Sequence, residues 1–438
     1  MKFLLALASV ALPTAHAAKE VFAHMIVGNV NNFDLADWEN DMRLAKESSI
    51  DAFVLNVGAG DENNDRSLEL AFQAANSQSF KLFFSFDYLG GPAGPWPKDQ
   101  VIALLEKFGN DPAYFKHDGQ RPFVSTFEGP DNAADWTDIK AGSNAFFIPD
   151  WSSKSPAEAV TLAGGVADGL FNFDPWPVGP SNVSTDLDKP FLDALGDKLY
   201  MMPVSPWFYT NLPKLNKNWL WPGDGLWDTR WNQVMELQPD FVQILTWNDF
   251  GESHYIGPVN EKQLGLFTTF EAPVNYVKDL AHDGWRKFLP FYIEQYKTGQ
   301  APAEFAEQAA AYYRTAAALA CASGGTTGNN PAFGEPQFNP EDLMEDAVFF
   351  AALLKSDEGV TVSVSIGGQT QEASFSIAPP SGAGTAGVYR GSVPFGGNTG
   401  DVVVTVSRGG ETVATAEGGK PISGTCENDV QNWNAVAV

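Results

Sequence analysis

The chain has 438 residues, with 27 Lys and Arg against 54 Asp and Glu, a formal net charge of −27 and 44% hydrophobic residues. That acidity argues against nucleic acid and anionic membrane surfaces as partners, because both are gripped by Lys/Arg surfaces. The length allows about two or three domains with a large core.

The N-terminus begins Met1-Lys2 and continues as an apolar run, Phe3–Leu12, too short to span a bilayer. Ala15-His16-Ala17 is a small-x-small cleavage site. Residues 1–17 are therefore expected to be a secretory signal peptide, and the mature protein to be extracellular. No later stretch is long and apolar enough to span a membrane. The only cysteines, Cys321 and Cys426, are expected to pair in an oxidising compartment. Asn182-Val183-Ser184 is the one glycosylation sequon, so Asn182 is the candidate glycan site.

Eight apolar runs follow: Phe22–Gly28, Asp51–Val57, Lys81–Asp87, Arg121–Glu128, Ala145–Asp150, Asp168–Asp174, Lys198–Val204 and Phe241–Trp247. They are continuous rather than alternating, as in parallel strands buried on both faces. Helical spacing lies between them, for example Leu35, Trp38, Met42 and Ala45. Eight such units predict an α/β fold, a (β/α)8 barrel over residues 18–322. Helical pattern is expected to resume from Tyr276 to about Ala320, with Trp285, Phe288 and Tyr292. A Gly/Asn/Pro-rich linker is read at 323–343. From 344 to 438, alternating apolar and polar residues punctuated by Gly and Pro predict an antiparallel β-sandwich, an accessory domain that braces the barrel rather than binding polymer.

Function in a barrel of this type gathers where the strands end. Those ends carry Asn56, then Asp87 and Tyr88, Glu128, Asp150 and Trp151, Asp174 and Trp176, Trp207, and finally Trp247-Asn248-Asp249-Phe250-Gly251-Glu252-Ser253. Acids interleaved with tryptophans suit a polysaccharide: sugar faces stack on indoles and hydroxyls bond to carboxylates and amides. Trp38 and Trp231 are read as helix residues facing the sheet. His24, inside the first run, is either a substrate contact or a core histidine.

Hydrolysis of a glycosidic bond takes two carboxyls, one giving a proton and one activating water or attacking. Asp249 and Glu252 sit three apart beside Gly251, so both can point to one side of a turn. Asp87 ends a strongly apolar strand. These three are the candidate catalytic acids. An acid–base separation of about 6.5–9.5 Å would leave room for the water of an inverting enzyme, and about 5–5.5 Å would indicate retention. No cofactor motif is present. Asp61–Asp65 begins like a calcium loop but has Arg66 where Gly is needed. Five histidines without zinc-type spacing argue against a metal site. No Gly-x-Ser-x-Gly elbow supports an esterase.

Phe22–Asn29, Phe84-Ser85-Phe86-Asp87 and Thr246–Ser253 together resemble glycoside hydrolase family 71, the secreted fungal α-1,3-glucanases or mutanases. The resemblance runs from about Val21 to the sandwich. It implies endo-type hydrolysis of α-1,3-glucan by inversion, with the essential acids at Asp87, Asp249 and Glu252. The residues themselves leave two alternatives: a barrel that binds α-glucan without cleaving it, or a hydrolase of another glycan. A monomer is expected.

Overall fold

The computed structural model describes residues 19–321 and 335–438. The expected signal peptide and residues 323–334 of the expected linker lie outside them. All eight apolar runs contain strands of one sheet. These are β1 (Glu20–Ile26), β2 (Ala52–Gly58), β3 (Lys81–Asp87), β5 (Arg121–Phe127), β6 (Phe146–Phe147), β7 (Gly169–Phe171), β8 (Leu199–Val204) and β11 (Phe241–Ile244). A short β4 (Lys116–His117) and a hairpin of β9 (Phe208–Leu212) and β10 (Lys217–Trp221) complete this half of the chain. The order is β4-β5-β3-β2-β1-β11-β8-β7, with β6 on β5. Every pairing is parallel except β4–β5, so the sheet is mixed and forms a half-barrel. Single bridges at Phe127–Asp150 and Asp150–Phe171 lie between β5 and β7.

The strands read as continuous apolar runs because both faces are covered. On one face Phe22 meets Phe83 and Phe241 with ring centroids 4.8 and 5.8 Å apart. On the other the helices pack. The helix Leu35–Glu47 starts with a capping box between Asp34 and Asp37 and buries Trp38, Met42 and Ala45. Trp231 is fully buried on the helix Leu226–Leu237. No helix among the described residues is long and apolar enough to cross a membrane.

The expected helical stretch after the sheet is realised only in part. Leu289–Thr298 is helical, but Gln308–Arg314 is a strand, β12. Its run of alanines and tyrosines is buried in the middle of a second sheet, where pairing on both sides overrides helix propensity. The remaining strands are β13 (Ala347–Leu354), β14 (Val360–Ile366), β15 (Gln369–Ala373), β16 (Gly387–Pro394), β17 (Val402–Arg408), β18 (Glu411–Ala416) and β19 (Ala435–Ala437). They form two separate antiparallel sheets, β16-β13-β12-β19 and β15-β14-β17-β18. Val348 and Phe350 of one share a buried cluster with Val364 and Val404 of the other. The opposite face, with Tyr312, Ala351 and Leu353, belongs to the core of the first half. Cys321 and Cys426 are joined in a disulfide, Cα–Cα 5.9 Å.

Candidate active site

The strand of the eighth apolar run, β11, hands the chain to a folded turn. Asn248 fastens that turn to β1: its Oδ1 accepts from Ile26 N at 2.8 Å and its Nδ2 donates to Ile26 O at 3.1 Å and Gln263 Oε1 at 3.0 Å. Thr246 Oγ1 accepts from Asp249 N at 2.8 Å, and Asp249 Oδ1 accepts from Glu252 N at 2.9 Å. Those two bonds draw both carboxyls to one side. One oxygen of each, with a ring nitrogen of His254, lie within 4.8 Å of one another.

His254 is sealed, while the side chains of Asp249 and Glu252 keep 15% and 20% of their exposure. His254 Nδ1 stands 3.1 Å from Thr246 Oγ1 and Nε2 3.1 Å from Glu252 Oε2. A carboxylate only accepts, so the hydrogen of the Glu252 contact is on His254 Nε2. Lys217 Nζ, from β10, donates to Glu252 Oε1 at 2.5 Å.

Burial alone would raise the Glu252 carboxyl, but Lys217 and His254 outweigh it and hold the group below the usual carboxylate range. Asp249 moves the other way: burial first, then the Glu252 charge, pushes it up to about 6. Two neighbouring acids are thus split into an ionised and a protonatable one, the arrangement that acid–base chemistry uses. Asp249, Glu252 and His254 are the one group of potential metal ligands clustered this closely among the described residues. The Lys217 ammonium supplies the positive charge there.

Glu252 and Lys217 form one wall of a cleft of about 240 Å³. Glu128, Asp150, Ser152 and Phe127 also line it, with Trp176, Phe208, Trp219 and Trp221 among the aromatic residues. Trp176 and Trp221 are stacked, centroids 5.0 Å apart and 10° between planes. Glu128 takes a left-handed φ of 54° at the end of β5, which turns its carboxylate onto Ser153 N at 2.8 Å and Ser153 Oγ.

Of the strand-end residues, the structure brings Glu128, Asp150, Trp176 and Glu252 into this cleft; Asp249, bonded to Glu252 N, is not in its lining. Asp87 is in register with Phe127 on β5, so both project from the same face of the sheet. Its Oδ1 accepts from Leu89 N and Gly90 N at 2.8 and 2.6 Å, burial raises its carboxyl, and Asn56 bonds to it. Asp87 is not in the cleft lining.

The other expected contacts lie outside the cleft lining. Trp247 is fully buried against Phe53, its Nε1 on Asp41 Oδ2 at 3.0 Å. Trp207 donates to Trp433 O at 3.0 Å, and Trp151 packs edge-on against Phe147. Tyr88 is buried against Gly129, where a Cβ would come within 2.4 Å of its ring. Asp174 stands beside Glu335, and burial lifts it to about 7. His24 is buried, its Nδ1 2.9 Å from Gln243 Nε2; burial lowers it to about 3, so it is neutral. Asn248 is the clamp described above.

Lys217, Trp219, Trp221, His254 and Ser152 were not anticipated. The first three lie on the β9–β10 hairpin, whose signal is two aromatic, β-rich runs around Pro213–Asn216.

A parallel sheet carrying paired acids and a tryptophan-walled cleft at its strand ends is the site of a glycoside hydrolase. The chain belongs to glycosyl hydrolase family 71, whose model matches residues 17–438. It is 32% identical over 416 residues to a mutanase of Penicillium rubens, covering 93% of this chain and 86% of that one. It is 33% identical over 452 residues to a glucan endo-1,3-alpha-glucosidase of Schizosaccharomyces pombe, covering 99% and 97%. An ascus wall endo-1,3-alpha-glucanase of the same yeast is 31% identical over 310 residues, covering 65% and 68%.

Proposed function

We propose that this protein is a secreted enzyme that hydrolyses the α-1,3-glucosidic linkages of α-1,3-glucan from within the polymer. The observation that carries the reading is the pairing of an ionised Glu252 with a protonatable Asp249 beside a tryptophan-walled cleft. The linkage comes from the relatives, named for α-1,3-glucan over most of the chain. Asp249 is the proton donor in this reading and Glu252 the group that engages water.

Carboxyl oxygens of Asp249 and Glu252 come within 4.8 Å of each other, so this pair alone has the closer spacing that goes with retention rather than the about 6.5–9.5 Å of an inverting pair. The Asp249–Glu252 backbone cap is what draws them together. Inversion therefore calls for the third acid, Asp87, to take part in holding the water, and its inward register with Phe127 supports that role. We also propose that the half-barrel closes as a (β/α)8 barrel through the Asp150 bridges, supported by pairing on both sides of that residue. The antiparallel sheets form a β-sandwich that braces it, a role favoured by the face they share with the first core. A cleaved signal peptide of residues 1–17, a glycan on exposed Asn182 and a monomeric state complete the proposal.

The test is a panel of α-1,3-glucan, β-1,3-glucan and starch, scored by reducing ends and by the anomer first released. Release of oligosaccharides from α-1,3-glucan with β-anomers first is expected. Reaction on starch alone would overturn the substrate, and α-anomers first would overturn inversion.

A further inference from the structure

We propose that Asp150, resting on the glucanase reading above, acts through Ser152 as a positioning residue. In its neutral form it turns the Ser152 hydroxyl into a hydrogen-bond donor aimed at an acceptor-only oxygen of the sugar, a ring or linkage oxygen.

Asp150 is fully buried in the wall of the cleft, yet among the described residues nothing cationic pairs with it. Its Oδ1 faces both Ser152 N, at 3.0 Å, and Ser152 Oγ. Its Oδ2 has no hydrogen-bond partner among the described residues. A carboxylate so placed would leave a charge uncompensated in a dry wall, which is costly. Burial first, and then the Glu128 charge, push the group up to about 8. The other charged or titratable groups facing it are few. β7 and its extension offer Phe171, Asn172 and Phe173, with neutral His24 behind Phe173. Lys217 and Glu252 line the same cleft.

A hydroxyl has one hydrogen to give and two lone pairs. Ser152 Oγ already accepts from Phe173 N at 3.1 Å. With no acceptor near Oδ2, the proton of neutral Asp150 belongs on Oδ1, where it donates to the second lone pair of Ser152. The Ser152 hydrogen is then left for the cleft, which Ser152 lines, or for Asn172 Oδ1 at 3.4 Å. When Asp150 ionises, Ser152 must turn its hydrogen back to Oδ1. It then shows the cleft only a lone pair, which repels a ring or linkage oxygen.

The test compares kcat/KM of wild type, D150N and S152A on a soluble α-1,3-linked glucose oligomer between pH 5 and 9.5, with Tm measured for each protein. The Asn amide stays neutral and can donate permanently to Ser152. The ratio of D150N to wild type is expected to be flat below about pH 7 and to climb about tenfold per pH unit above about 8, the pH at which Asp150 loses its proton. S152A is expected to lower kcat/KM at pH 6 by roughly tenfold, the loss of one hydrogen bond to substrate. A flat ratio up to pH 9.5, or S152A within twofold of wild type, overturns the proposal. Failure of wild type itself to cut the oligomer would instead overturn the glucanase reading.

Discussion

Lys217 reaches across from the hairpin between β9 and β10 to place its ammonium 2.5 Å from Glu252 Oε1, although the two are 35 residues apart. The contact fixes the charge of the acid as well as its position. Burial raises Glu252, so only Lys217 and His254 keep it ionised in mildly acid solution. Replacing Lys217 by Met should move the acid limb of kcat/KM upward by at least one pH unit, while Lys217→Arg should restore most of it. A K217M profile that overlays the wild type would remove Lys217 from this role.

Asp249 sets the other limb. Its carboxyl titrates near 6, so a reaction that needs it protonated falls as pH rises through that value, while Glu252 stays charged. Glu252→Gln and Asp249→Asn should each cut kcat by roughly 10²–10⁴-fold, the usual worth of a general acid or base. Circular dichroism and Tm show whether the fold survives. Near-normal turnover in either variant rejects that residue.

Trp219 is nearly buried, borders the cleft and sits edge-on to Trp221 at 6.1 Å. Little of the indole is left to cover, so a sugar edge against it gains about 0.8 kcal/mol, the worth of one buried CH₂. Trp219→Ala should therefore raise KM by roughly fourfold with a smaller change in kcat. Trp219→Phe should recover part of it. Equal KM values across the three proteins would show that substrate passes elsewhere.

The sheet was legible because buried parallel strands announce themselves as uninterrupted apolar runs, and each of the eight runs holds a strand. The acids at Asp249 and Glu252 were legible because a spacing of three around Gly251 puts side chains together through a local turn. Tryptophans were harder. Trp151, Trp207 and Trp247 occupy strand ends as Trp176 does, yet they pack inward; one residue of phase separates a wall from a core, and sequence does not carry that phase past the strand. Lys217 was invisible for another reason. Its partner is reached through an inserted hairpin, and a lone lysine in a loop gives no local sign of it. β12 was missed because alanine-rich Gln308–Arg314 becomes a strand only by pairing with β13 and β19.

Asn248, expected as a contact for sugar, clamps its turn to β1. Replacing it by Ala leaves Ile26 N and O, both half-buried, without these partners. Each lost partner costs about 1–3 kcal/mol. Asn248→Ala should lower Tm by roughly 5 °C or more, and should lower kcat as well, because the turn carrying Asp249 and Glu252 is released from β1. An unchanged Tm would show that the clamp is dispensable.

The stability of the protein should itself depend on pH, through buried acids that neither give nor take the proton of the hydrolysis. Burial is the first cause that raises Asp41, Asp174 and Asp224 to about 7, and Asp150 to about 8. In the unfolded chain all four titrate near ~3.9. Each folded value lies above its unfolded one, so the stability each neutral group contributes is fully present below about pH 4 and is lost as pH rises through 7–8. Glu252 runs the opposite way, contributing above its unfolded value and losing that contribution only on acidification. The net charge of −27 adds repulsion on the alkaline side. Calorimetry should therefore find the highest Tm near about pH 4–5 and a fall of roughly 5 °C or more by pH 8. Asp224→Asn, at a carboxyl whose Oδ1 is buried without a partner among the described residues, should make that fall shallower. A Tm constant from pH 5 to 8 would mean these acids keep their ordinary ionisation in the folded protein.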